Sequence, residues 1–336
     1  MEYNISMIEL IITENQGDQR LDRFLKKYFD KAPLSMIYRM IRKDIKLNGK
    51  RAKEDTMLSA GDILTLYMTE EEAASLRKDK KQVRAKRQFK IAYEDENLLI
   101  VSKPFGLLTH GDRHEKKNHL ANQVIDYLIT QGEYDPAHEK TFTPAPANRI
   151  DRNTTGLVIF AKNSQSLREI NALLRYKESI EKYYLTVVNG RLPGELHLRD
   201  YMIKDEKTNK VRIVKEADET KLMETIATPL AYGKLGNKDY TLVEAQILTG
   251  RTHQIRVQLA NAGFPLYGDF KYGNRASDRA TQLLHSYKLV FSETLKSSDT
   301  KLAYMAGKVI TQQPPEDFIK ITDKIFGDIT EIFSER

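Results

Sequence analysis

An aspartate inside a basic, turn-forming loop is the first candidate for chemistry in this sequence. The run from Asn148 to Leu157 reads Asn-Arg-Ile-Asp-Arg-Asn-Thr-Thr-Gly-Leu, and it places Arg149 and Arg152 on either side of Asp151. Positive charge nearby favours the ionised form of a carboxyl group. A carboxylate held in this way can act as a nucleophile or as a base, so we expect Asp151 to be the catalytic group.

Motifs that would bind a cofactor or a metal ion are not found around this loop. The chain has no GxGxxG and no GxxxxGK[ST] run, which argues against a nucleotide cofactor. It also has no cysteine, which excludes disulfides, thiolate zinc sites and cysteine nucleophiles. His253 invites a metal-ligand or general-base interpretation, but we predict no metal and no cofactor.

Composition indicates an ordinary soluble protein. Hydrophobic residues make up 40% of the chain and charged residues 30%, with a mean hydropathy of −0.55. No apolar run approaches the roughly 18 residues of a membrane span, and Met1 to Glu14 lacks the basic start of a secretory signal. We therefore expect a cytoplasmic protein. The net charge of +7 fits either a polyanionic partner or simply a basic surface.

Residues 20 to 68 are predicted to form a compact module of helix, helix, hairpin and strand. Apolar residues at i, i+3, i+4, i+7 and i+8 indicate a core-facing helix; they are Leu21, Phe24, Leu25, Tyr28 and Phe29. A second short helix follows Pro33. Asn48-Gly49, a dipeptide favoured in two-residue hairpin turns, comes before a strand over residues 63–66.

The second helix and the hairpin of this module carry a cluster of basic residues. Its members are Arg39, Arg42, Lys43, Lys46, Lys50, Arg51 and Lys53. Such a run can be a solvated face, but we favour phosphate binding because the cluster spans two adjacent elements. The arrangement resembles the S-four RNA-binding domain, whose basic helix-and-hairpin face grips structured RNA. That resemblance implies RNA contacts at Arg39, Arg42, Lys43, Lys50 and Arg51.

The other domain boundaries follow from changes in composition. An N-terminal segment over 1–19 precedes the S-four-like module over 20–68, and a charged linker over 69–88 follows it. A catalytic domain is expected over 89–318, with a C-terminal tail over 319–336.

Strands and helices mix in irregular order from Phe89 onward, which favours an α+β fold over a doubly wound sheet. Apolar runs and alternating patterns predict strands at 91–93, 98–101, 156–161, 183–188 and 240–247. Ser164 is predicted to cap a helix, and another helix is predicted over 252–262. These elements must bring the loop around Asp151 together with its chemical partners.

Three stretches together resemble the active-site motifs of the ribosomal large-subunit pseudouridine synthases, the Rlu group. They are residues 148–157, the run Lys182-Tyr183-Tyr184-Leu185, and residues 248–256, which read Leu-Thr-Gly-Arg-Thr-His-Gln-Ile-Arg. Supporting stretches match at 93–104, 265–269 and 284–286. The resemblance implies a mixed, largely antiparallel sheet with flanking helices and a central cleft. It also implies a cofactor-free isomerase that cuts the N-glycosidic bond of a uridine in RNA, rotates the base and rejoins it through carbon.

The resemblance implies a role for each motif residue. Asp151 matches the catalytic aspartate, which either attacks the anomeric carbon of the sugar or removes its 2′ proton, and both routes stay open. Arg256 matches the basic residue that pairs with this aspartate. Tyr184 matches the tyrosine that stacks on the target base, although a core tyrosine is the alternative. Tyr183 is expected on the opposite face of the strand.

Base flipping explains the remaining RNA contacts. A uridine inside RNA structure must leave the stack to reach an aspartate, at a cost of roughly a few kcal/mol. Arg149 matches the arginine that fills the vacated space with its planar guanidinium; a contact to phosphate alone is the alternative. Contacts to RNA are also expected at Arg152, Lys182, Arg251, Thr252 and His253. The last three begin a helix, where backbone donors favour a phosphate or a uracil carbonyl.

The sequence departs from the family pattern at three positions of the first motif. Asn148 stands where histidine is usual, Ile150 where leucine is usual, and Thr155 where serine is common. None of these is the proposed nucleophile or the inserting arginine. We therefore expect the activity to be retained.

Our sequence-based hypothesis is an RNA pseudouridine synthase acting on large-subunit ribosomal RNA, as a monomer and without contact to membranes. Two alternatives remain open at this stage. One is the same isomerase acting on transfer RNA, and the other is a non-catalytic RNA-binding factor in ribosome assembly that retains the fold.

Overall fold

A computed structural model describes residues 6–78, 84–176, 179–205, 207–273 and 281–328 of the chain. The strands within these ranges are β1 (Ile8–Ile11), β2 (Gln19–Arg20), β3 (Ile45–Leu47), β4 (Met57–Leu58), β5 (Ile63–Leu66), β6 (Lys90–Glu94), β7 (Leu98–Lys103), β8 (Ala145–Pro146), β9 (Thr155–Ala161), β10 (Ile180–Asn189), β11 (Leu196–Asp205), β12 (Lys210–Val214), β13 (Lys221–Leu235), β14 (Lys238–Ile247), β15 (Leu284–Phe291) and β16 (Val309–Thr311). The α-helices are α1 (Leu21–Tyr28), α2 (Leu34–Lys43), α3 (Glu70–Ser75), α4 (Leu120–Thr130), α5 (Ser164–Leu173), α6 (Gln254–Asn261) and α7 (Glu316–Phe326).

The N-terminal unit forms the elements that the periodicity predicts. The apolar stripe of α1 is buried and packs on α2 and on an antiparallel sheet of order β1-β5-β3. Asn48 and Gly49 both have positive φ, 50° and 75°. Leu47 and Lys50 exchange backbone hydrogen bonds of 2.8 and 2.9 Å around them. The predicted two-residue hairpin turn is confirmed.

The boundaries of this unit differ from those expected from composition. Strand β1 lies in the segment 1–19, yet it pairs with β5 and places Ile8 and Ile12 in the core. Helix α3, within the expected linker, begins with a capping box between Thr69 and Glu72. After it, the Arg77 guanidinium lies 4.1 Å from the centre of the Tyr28 ring. A four-residue strand carries too little periodicity to reveal a partner more than fifty positions away, so composition placed these residues outside the unit. The part of the linker over 79–83 lies outside the described residues.

The rest of the chain is built on one large sheet. Its strand order is β12-β11-β13-β14-β10-β15-β9-β7-β6, with β16 paired to β15 and β8 paired to β9. Every pairing between the described strands is antiparallel except that of β9 with β15. The predicted strands lie within β6, β7, β9, β10 and β14. The α+β class and the mixed, largely antiparallel sheet are therefore confirmed.

Both faces of the sheet centre are covered. Along β7, Leu99 and Val101 pack with α4 in one apolar cluster, whereas Leu98 and Ile100 pack with Ile170 of α5 in another. Alternate side chains of a strand point to opposite faces, so a strand covered on both faces reads as a continuous apolar run. This is why β7 and β9 could be recognised from composition alone.

The chain beyond β10 contains elements that the sequence patterns did not predict. Strands β11 and β12 form a hairpin at one edge of the sheet, and the 15-residue β13 carries a bulge between Pro229 and Ala231. Helix α7 packs on β13 with Phe318 and Ile325 buried. The expected boundary between catalytic domain and tail at 318/319 falls inside this helix.

Two helices begin slightly later or earlier than predicted. The cap of α5 is Asn163, whose side chain accepts a hydrogen bond from the Ser166 amide, rather than Ser164. Helix α6 begins at Gln254 and not at Thr252, because His253 adopts a left-handed backbone with φ 53°. No helix in the described ranges is long and apolar enough to cross a bilayer.

Replacing Gly156 with alanine is expected to destabilise the protein by roughly 2–5 kcal/mol. Gly156 has φ 108°, and a Cβ atom there would lie 2.0 Å from the carbonyl oxygen of Ser286, where β9 runs beside β15. Urea unfolding measures the loss. Gly194→Ala is the matched control, since nothing lies within 4 Å of a Cβ at that position. A loss below about 1 kcal/mol for Gly156→Ala would contradict the close approach of the two strands.

Candidate active site

A cleft of about 1050 Å³ opens on the large sheet beside α6. Three segments meet at it: the loop before β9, strand β10, and the loop leading into α6. The motif residues that line it are Arg149, Asp151, Arg152, Lys182, Tyr184, Arg251, Thr252, His253 and Arg256. The fold thus brings together residues of all three motif stretches, although they are separated by up to about a hundred positions in sequence.

The loop that carries Asp151 is held from both sides. The Thr109 hydroxyl donates a hydrogen bond of 3.0 Å to the carbonyl of Ile150, and the Thr154 amide donates one of 3.1 Å to the carbonyl of Asp151. Ile150 itself is buried in the apolar cluster under the sheet. The Asp151 side chain remains 26% exposed and borders the cleft. A carboxylate is therefore presented at the cleft surface on a loop with little freedom.

Arg256 links Asp151 to a second carboxylate. Its Nη1 lies 3.0 Å from Asp151 Oδ2, while its Nε and Nη2 donate to the two oxygens of Asp269 at 2.7 and 2.9 Å. Burial lowers the pKa of the guanidinium, but the two carboxylates outweigh burial and the pKa is raised overall. Arg256 therefore stays charged. Its bidentate contact with Asp269 fixes the plane of the guanidinium group, and Nη1 donates to Asp151 from that plane.

Asp269 is the main functional candidate that the motif residues did not include. It follows α6 in the supporting stretch 265–269 and is only 2% exposed. A buried aspartate requires a charged or hydrogen-bonding partner, but the sequence does not show that this partner is Arg256. The spacing of thirteen residues corresponds to no regular helix or strand period.

Lys103, in another supporting stretch, fastens the opposite side of the loop. Its buried ammonium donates to the carbonyl oxygens of Leu107 at 2.7 Å, Arg152 at 2.9 Å and Pro104 at 3.1 Å. Burial lowers the pKa of Lys103 to about 7, and the charge of nearby Asp151 opposes that shift. Lys103 therefore binds the backbone directly after Asp151 and contributes positive potential beneath it.

Tyr184 and Tyr183 lie on opposite faces of β10, as strand alternation predicts. Tyr184 is 6% exposed and packs with Ile150 and Ile255 beside the cleft, whereas Tyr183 packs in a separate cluster. Burial raises the pKa of Tyr184 to about 12. The phenol of Tyr184 is therefore neutral at physiological pH and presents an aromatic ring at the cleft.

The arginines that flank Asp151 in sequence are not its hydrogen-bond partners within the described residues. Arg149 is exposed at the cleft, and Arg152 is exposed with its Nε donating to the carbonyl of Gly106 at 3.2 Å. Asn148 accepts a hydrogen bond of 2.8 Å from the Ile159 amide, so it supports β9. Charge around Asp151 is thus provided from α6 and β7 more directly than from its neighbours in the chain.

Three further motif residues occupy the wall of the cleft. Lys182 is largely buried, donates to the Ile180 carbonyl at 3.3 Å, and has its pKa lowered by burial. Arg251 is exposed, with Nε donating to the Leu222 carbonyl at 3.1 Å. Thr252 is exposed beside it. Of these, Arg251 and Thr252 are accessible to a large ligand, while Lys182 contributes charge from beneath the surface.

His253 faces the Asp151 carboxylate. Its Nε2 lies 3.9 Å from Asp151 Oδ2, and its side chain is 7% exposed. Burial lowers the pKa of His253 to about 4. The ring is therefore neutral at physiological pH and has one N–H group to donate.

No metal site is found in the described part of the chain, since no three histidine, aspartate or glutamate side chains there could hold an ion. His110 and His114 have the i, i+4 spacing that often binds zinc on a helix. They lie in the irregular segment between β7 and α4 and not on a helix. The spacing therefore does not bring their two side chains to one helical face.

The basic residues of the N-terminal unit form one exposed surface away from the cleft lining. Arg39, Arg42, Lys43, Lys50 and Arg51 are all exposed. The Arg51 guanidinium donates to the Arg42 carbonyl at 2.7 Å, which joins the hairpin to the end of α2. The predicted juxtaposition of helix and hairpin is confirmed.

The stability of the fold beneath the site should decrease as the pH falls from about 6.5 to 4. His285 on β15 accepts a hydrogen bond from the Thr155 hydroxyl at Nδ1, 2.8 Å, and donates from Nε2 to the Gln312 carbonyl, 3.0 Å. Burial lowers the pKa of His285 to about 4. Between pH 6.5 and 4 the unfolded chain therefore binds a proton that the folded chain excludes, which costs about 3 kcal/mol at most.

Urea unfolding at pH 7, 6, 5 and 4 measures this dependence. In His285→Gln the free energy of unfolding should change less steeply over that range than in the original chain. His197→Gln, which also removes an imidazole but at an exposed position, is the control. An equal slope in His285→Gln and the original chain would contradict a neutral buried His285.

The sequence is similar to that of known proteins along most of its length. The family described as RNA pseudouridylate synthase matches residues 97–261, from β7 to the end of α6. An uncharacterized RNA pseudouridine synthase of Mycoplasma capricolum is 33% identical over 314 residues, covering 92% of this chain and 98% of that protein. Ribosomal large subunit pseudouridine synthase C of Vibrio vulnificus is 32% identical over 314 residues, covering 91% of this chain and 90% of that protein. The Escherichia coli protein of the same description is 32% identical over 276 residues, covering 80% of each.

Solved structures show a similar fold at low sequence identity. Human RNA pseudouridylate synthase domain containing 1 superposes with a TM-score of 0.54 at 17% identity, covering 74% of this chain and 94% of that one. Human RNA pseudouridylate synthase domain containing 4 gives 0.52 at 20% identity, covering 70% and 92%. These similarities concern the fold of the large sheet and its helices.

Proposed function

This chain belongs to the RNA pseudouridylate synthase family, and is thus an isomerase forming pseudouridine in RNA; we propose that its substrate is large-subunit ribosomal RNA. The relatives of Vibrio vulnificus and Escherichia coli described as ribosomal large subunit pseudouridine synthase C support this substrate. Each aligns over at least 80% of both chains, so the similarity includes more than the shared catalytic core.

The chain of ion pairs from Asp151 through Arg256 to Asp269 is the observation that supports Asp151 as the group acting on the uridine. Isomerisation of uridine requires a group that acts on the sugar while the base is detached. Arg256 occupies Oδ2 of Asp151 and leaves Oδ1 without a hydrogen bond to the described part of the protein. We assign Asp151 to this step, either by attack on the anomeric carbon or by removal of the 2′ proton. Both routes need an ionised carboxylate at a fixed position.

The cleft also has groups suited to a uridine that has left the RNA stack. The ring of Tyr184 borders the cleft as a neutral phenol, on which a pyrimidine can stack. Arg149 is exposed two residues before Asp151, and its planar guanidinium could stack between bases and donate hydrogen bonds. We therefore propose that Tyr184 holds the flipped base and that Arg149 replaces it in the RNA.

The N-terminal unit is proposed to dock the RNA in the manner of an S-four domain. Five exposed basic side chains from α2 and the following hairpin form its surface, and phosphate groups are the ligands that such a surface attracts. The contacts are to the RNA backbone, so they supply affinity rather than sequence recognition.

The substrate is tested with RNA tritiated at uracil C5, since pseudouridine formation releases that tritium. Purified protein is incubated with large-subunit ribosomal RNA, small-subunit ribosomal RNA and transfer RNA, and modified positions are mapped afterwards. Release from large-subunit RNA alone is expected. Release from transfer RNA alone would show that transfer RNA is the substrate. No release from any RNA, free or in ribosomal precursors, would refute the proposed substrate.

A variant of the same assay tests the N-terminal surface. Charge reversal at Arg39 and Arg42 should raise KM for long ribosomal RNA. It should leave kcat unchanged, because these side chains lie outside the cleft lining. A KM equal to that of the original chain at both 50 and 200 mM salt would show that this surface does not contact the substrate.

A further inference from the structure

A histidine in a strained backbone conformation, and a tyrosine bonded to it, stand next to the catalytic carboxylate. His253 precedes α6 with φ 53° and ψ 20°, a left-handed conformation that is uncommon for residues other than glycine, although asparagine, aspartate and histidine adopt it more often than the rest. Its side chain makes no capping hydrogen bond to the helix, so capping does not offset the strain. Such strain persists where the surroundings hold the residue in place. Here the surroundings hold the ring between Asp151 and Tyr272.

Tyr272 fixes the other nitrogen of the His253 ring. Its hydroxyl oxygen lies 2.7 Å from His253 Nδ1, and the two rings meet edge to face with centroids 5.6 Å apart. The same oxygen accepts a hydrogen bond of 2.9 Å from the Val211 amide on β12. Within the described ranges, His253 and Val211 are the hydrogen-bond partners of this hydroxyl.

The direction of these hydrogen bonds follows from the donors. A backbone amide can only donate, so the Val211 amide uses a lone pair of the Tyr272 oxygen and leaves the phenol proton available. Burial raises the pKa of Tyr272, so the phenol keeps that proton. Its acceptor is then His253 Nδ1. A neutral imidazole that accepts at Nδ1 has its proton on Nε2, the nitrogen that faces Asp151.

We infer that Tyr272 is a positioning residue for the isomerisation, because it fixes His253 as the tautomer whose Nε2–H points at the Asp151 carboxylate. The separation of 3.9 Å between Nε2 and Oδ2 is longer than a hydrogen bond. Hydrogen bonds in catalytic sites often shorten only when substrate is bound. His253 then becomes a second donor to Asp151 beside Arg256, and it adds no positive charge because its ring is neutral. This inference rests on the assignment of Asp151 as the catalytic group.

Removing the Tyr272 hydroxyl tests the inference with the ring retained. Tyr272→Phe should lower kcat by about 10-fold to 100-fold with little change in KM for RNA. The ring still faces Arg256, whose guanidinium carbon lies 5.2 Å from its centre. Tyr232→Phe is the matched control. Its ring is also covered by an arginine, Arg191 at 4.3 Å, and its hydroxyl also bonds to backbone, the Leu192 carbonyl at 2.8 Å. Arg191 and Leu192 lie outside the cleft lining, whereas His253 and Arg256, the partners of Tyr272, belong to it.

The tautomer is measured directly, and this measurement does not depend on activity. Two-bond proton–nitrogen correlation spectra of protein with 15N-labelled histidine distinguish the two neutral tautomers, and His253→Gln identifies the signals. At pH 7 the original chain and Tyr232→Phe should show His253 protonated at Nε2, and Tyr272→Phe should lose this preference. Protonation at Nδ1 in the original chain, or an unchanged spectrum or kcat in Tyr272→Phe, would overturn the inference. Absence of activity in the original chain with the expected spectra would count against the proposed substrate and not against the tautomer.

Discussion

Replacing Asp151 with asparagine should abolish pseudouridine formation, by about 10⁴-fold or more, while the protein stays folded. Asparagine has the same shape but has no carboxylate to attack the sugar or take its proton. The fold should tolerate the change because the Asp151 side chain is 26% exposed and Arg256 keeps its bidentate contact with Asp269. Affinity for RNA should remain within a few-fold, since phosphate contacts supply most of it.

Tritium release and RNA binding measured on the same preparation check this prediction. Asp239→Asn is the control, because Asp239 is a surface aspartate whose pair with Lys234 is exposed. Thermal unfolding of both variants establishes that they are folded. If Asp151→Asn kept more than about a tenth of the original activity while folded, Asp151 would not be the group that acts on the sugar.

Replacing Arg256 with methionine should both destabilise the protein and inactivate it. Asp269 is 2% exposed and Arg256 donates to both of its carboxylate oxygens, so the change leaves a buried carboxylate without this cation. Removing one partner of a buried ion pair typically costs about 3–5 kcal/mol. Asp151 would lose the 3.0 Å contact that fixes Oδ2, so activity should fall together with stability.

A double substitution separates the two effects. In Arg256→Met with Asp269→Asn the buried charge is gone, so the free energy of unfolding should recover part of the loss, while activity should not recover. The sum of the losses in free energy of unfolding in the two single variants should therefore exceed the loss in the double variant. Lys320→Met, which breaks an exposed pair with Glu316 on α7, is the control and should cost less than about 1 kcal/mol. Strict additivity of Arg256 and Asp269 would show that they do not stabilise each other.

Local sequence patterns predicted the elements whose side chains are buried at regular intervals or throughout. The stripe of α1 repeats with the helical period, and β7 and β9 are apolar throughout because both faces are covered. The turn at Asn48-Gly49 follows from the backbone freedom of those two residues. The hairpin β11–β12 and helix α7 were not predicted. Helix α7 does carry apolar residues at helical spacing, Phe318, Ile321 and Ile325, so the signal was present in the sequence and was missed.

The sequence by itself determined which residue types are available for chemistry, through the motif runs that contain Asp151, Tyr184 and Arg256. Local charge alone favoured Arg149 and Arg152, the neighbours of Asp151 in the chain, as its partners. The resemblance to the Rlu group instead implied Arg256, and the hydrogen bond does come from Arg256 on α6, 105 positions away.

Only the tertiary structure decided the network around the Asp151 carboxylate. The segment after α6 brings Asp269 behind Arg256 and Tyr272 behind His253, and the end of β7 brings Lys103 to the Asp151 loop. Hydrogen bonds and ion pairs depend on distances of about 3 Å, and such distances between remote segments are set by strand pairing and packing. The approach of β9 to β15 at Gly156 is one such pairing, and no local pattern of residues specifies it.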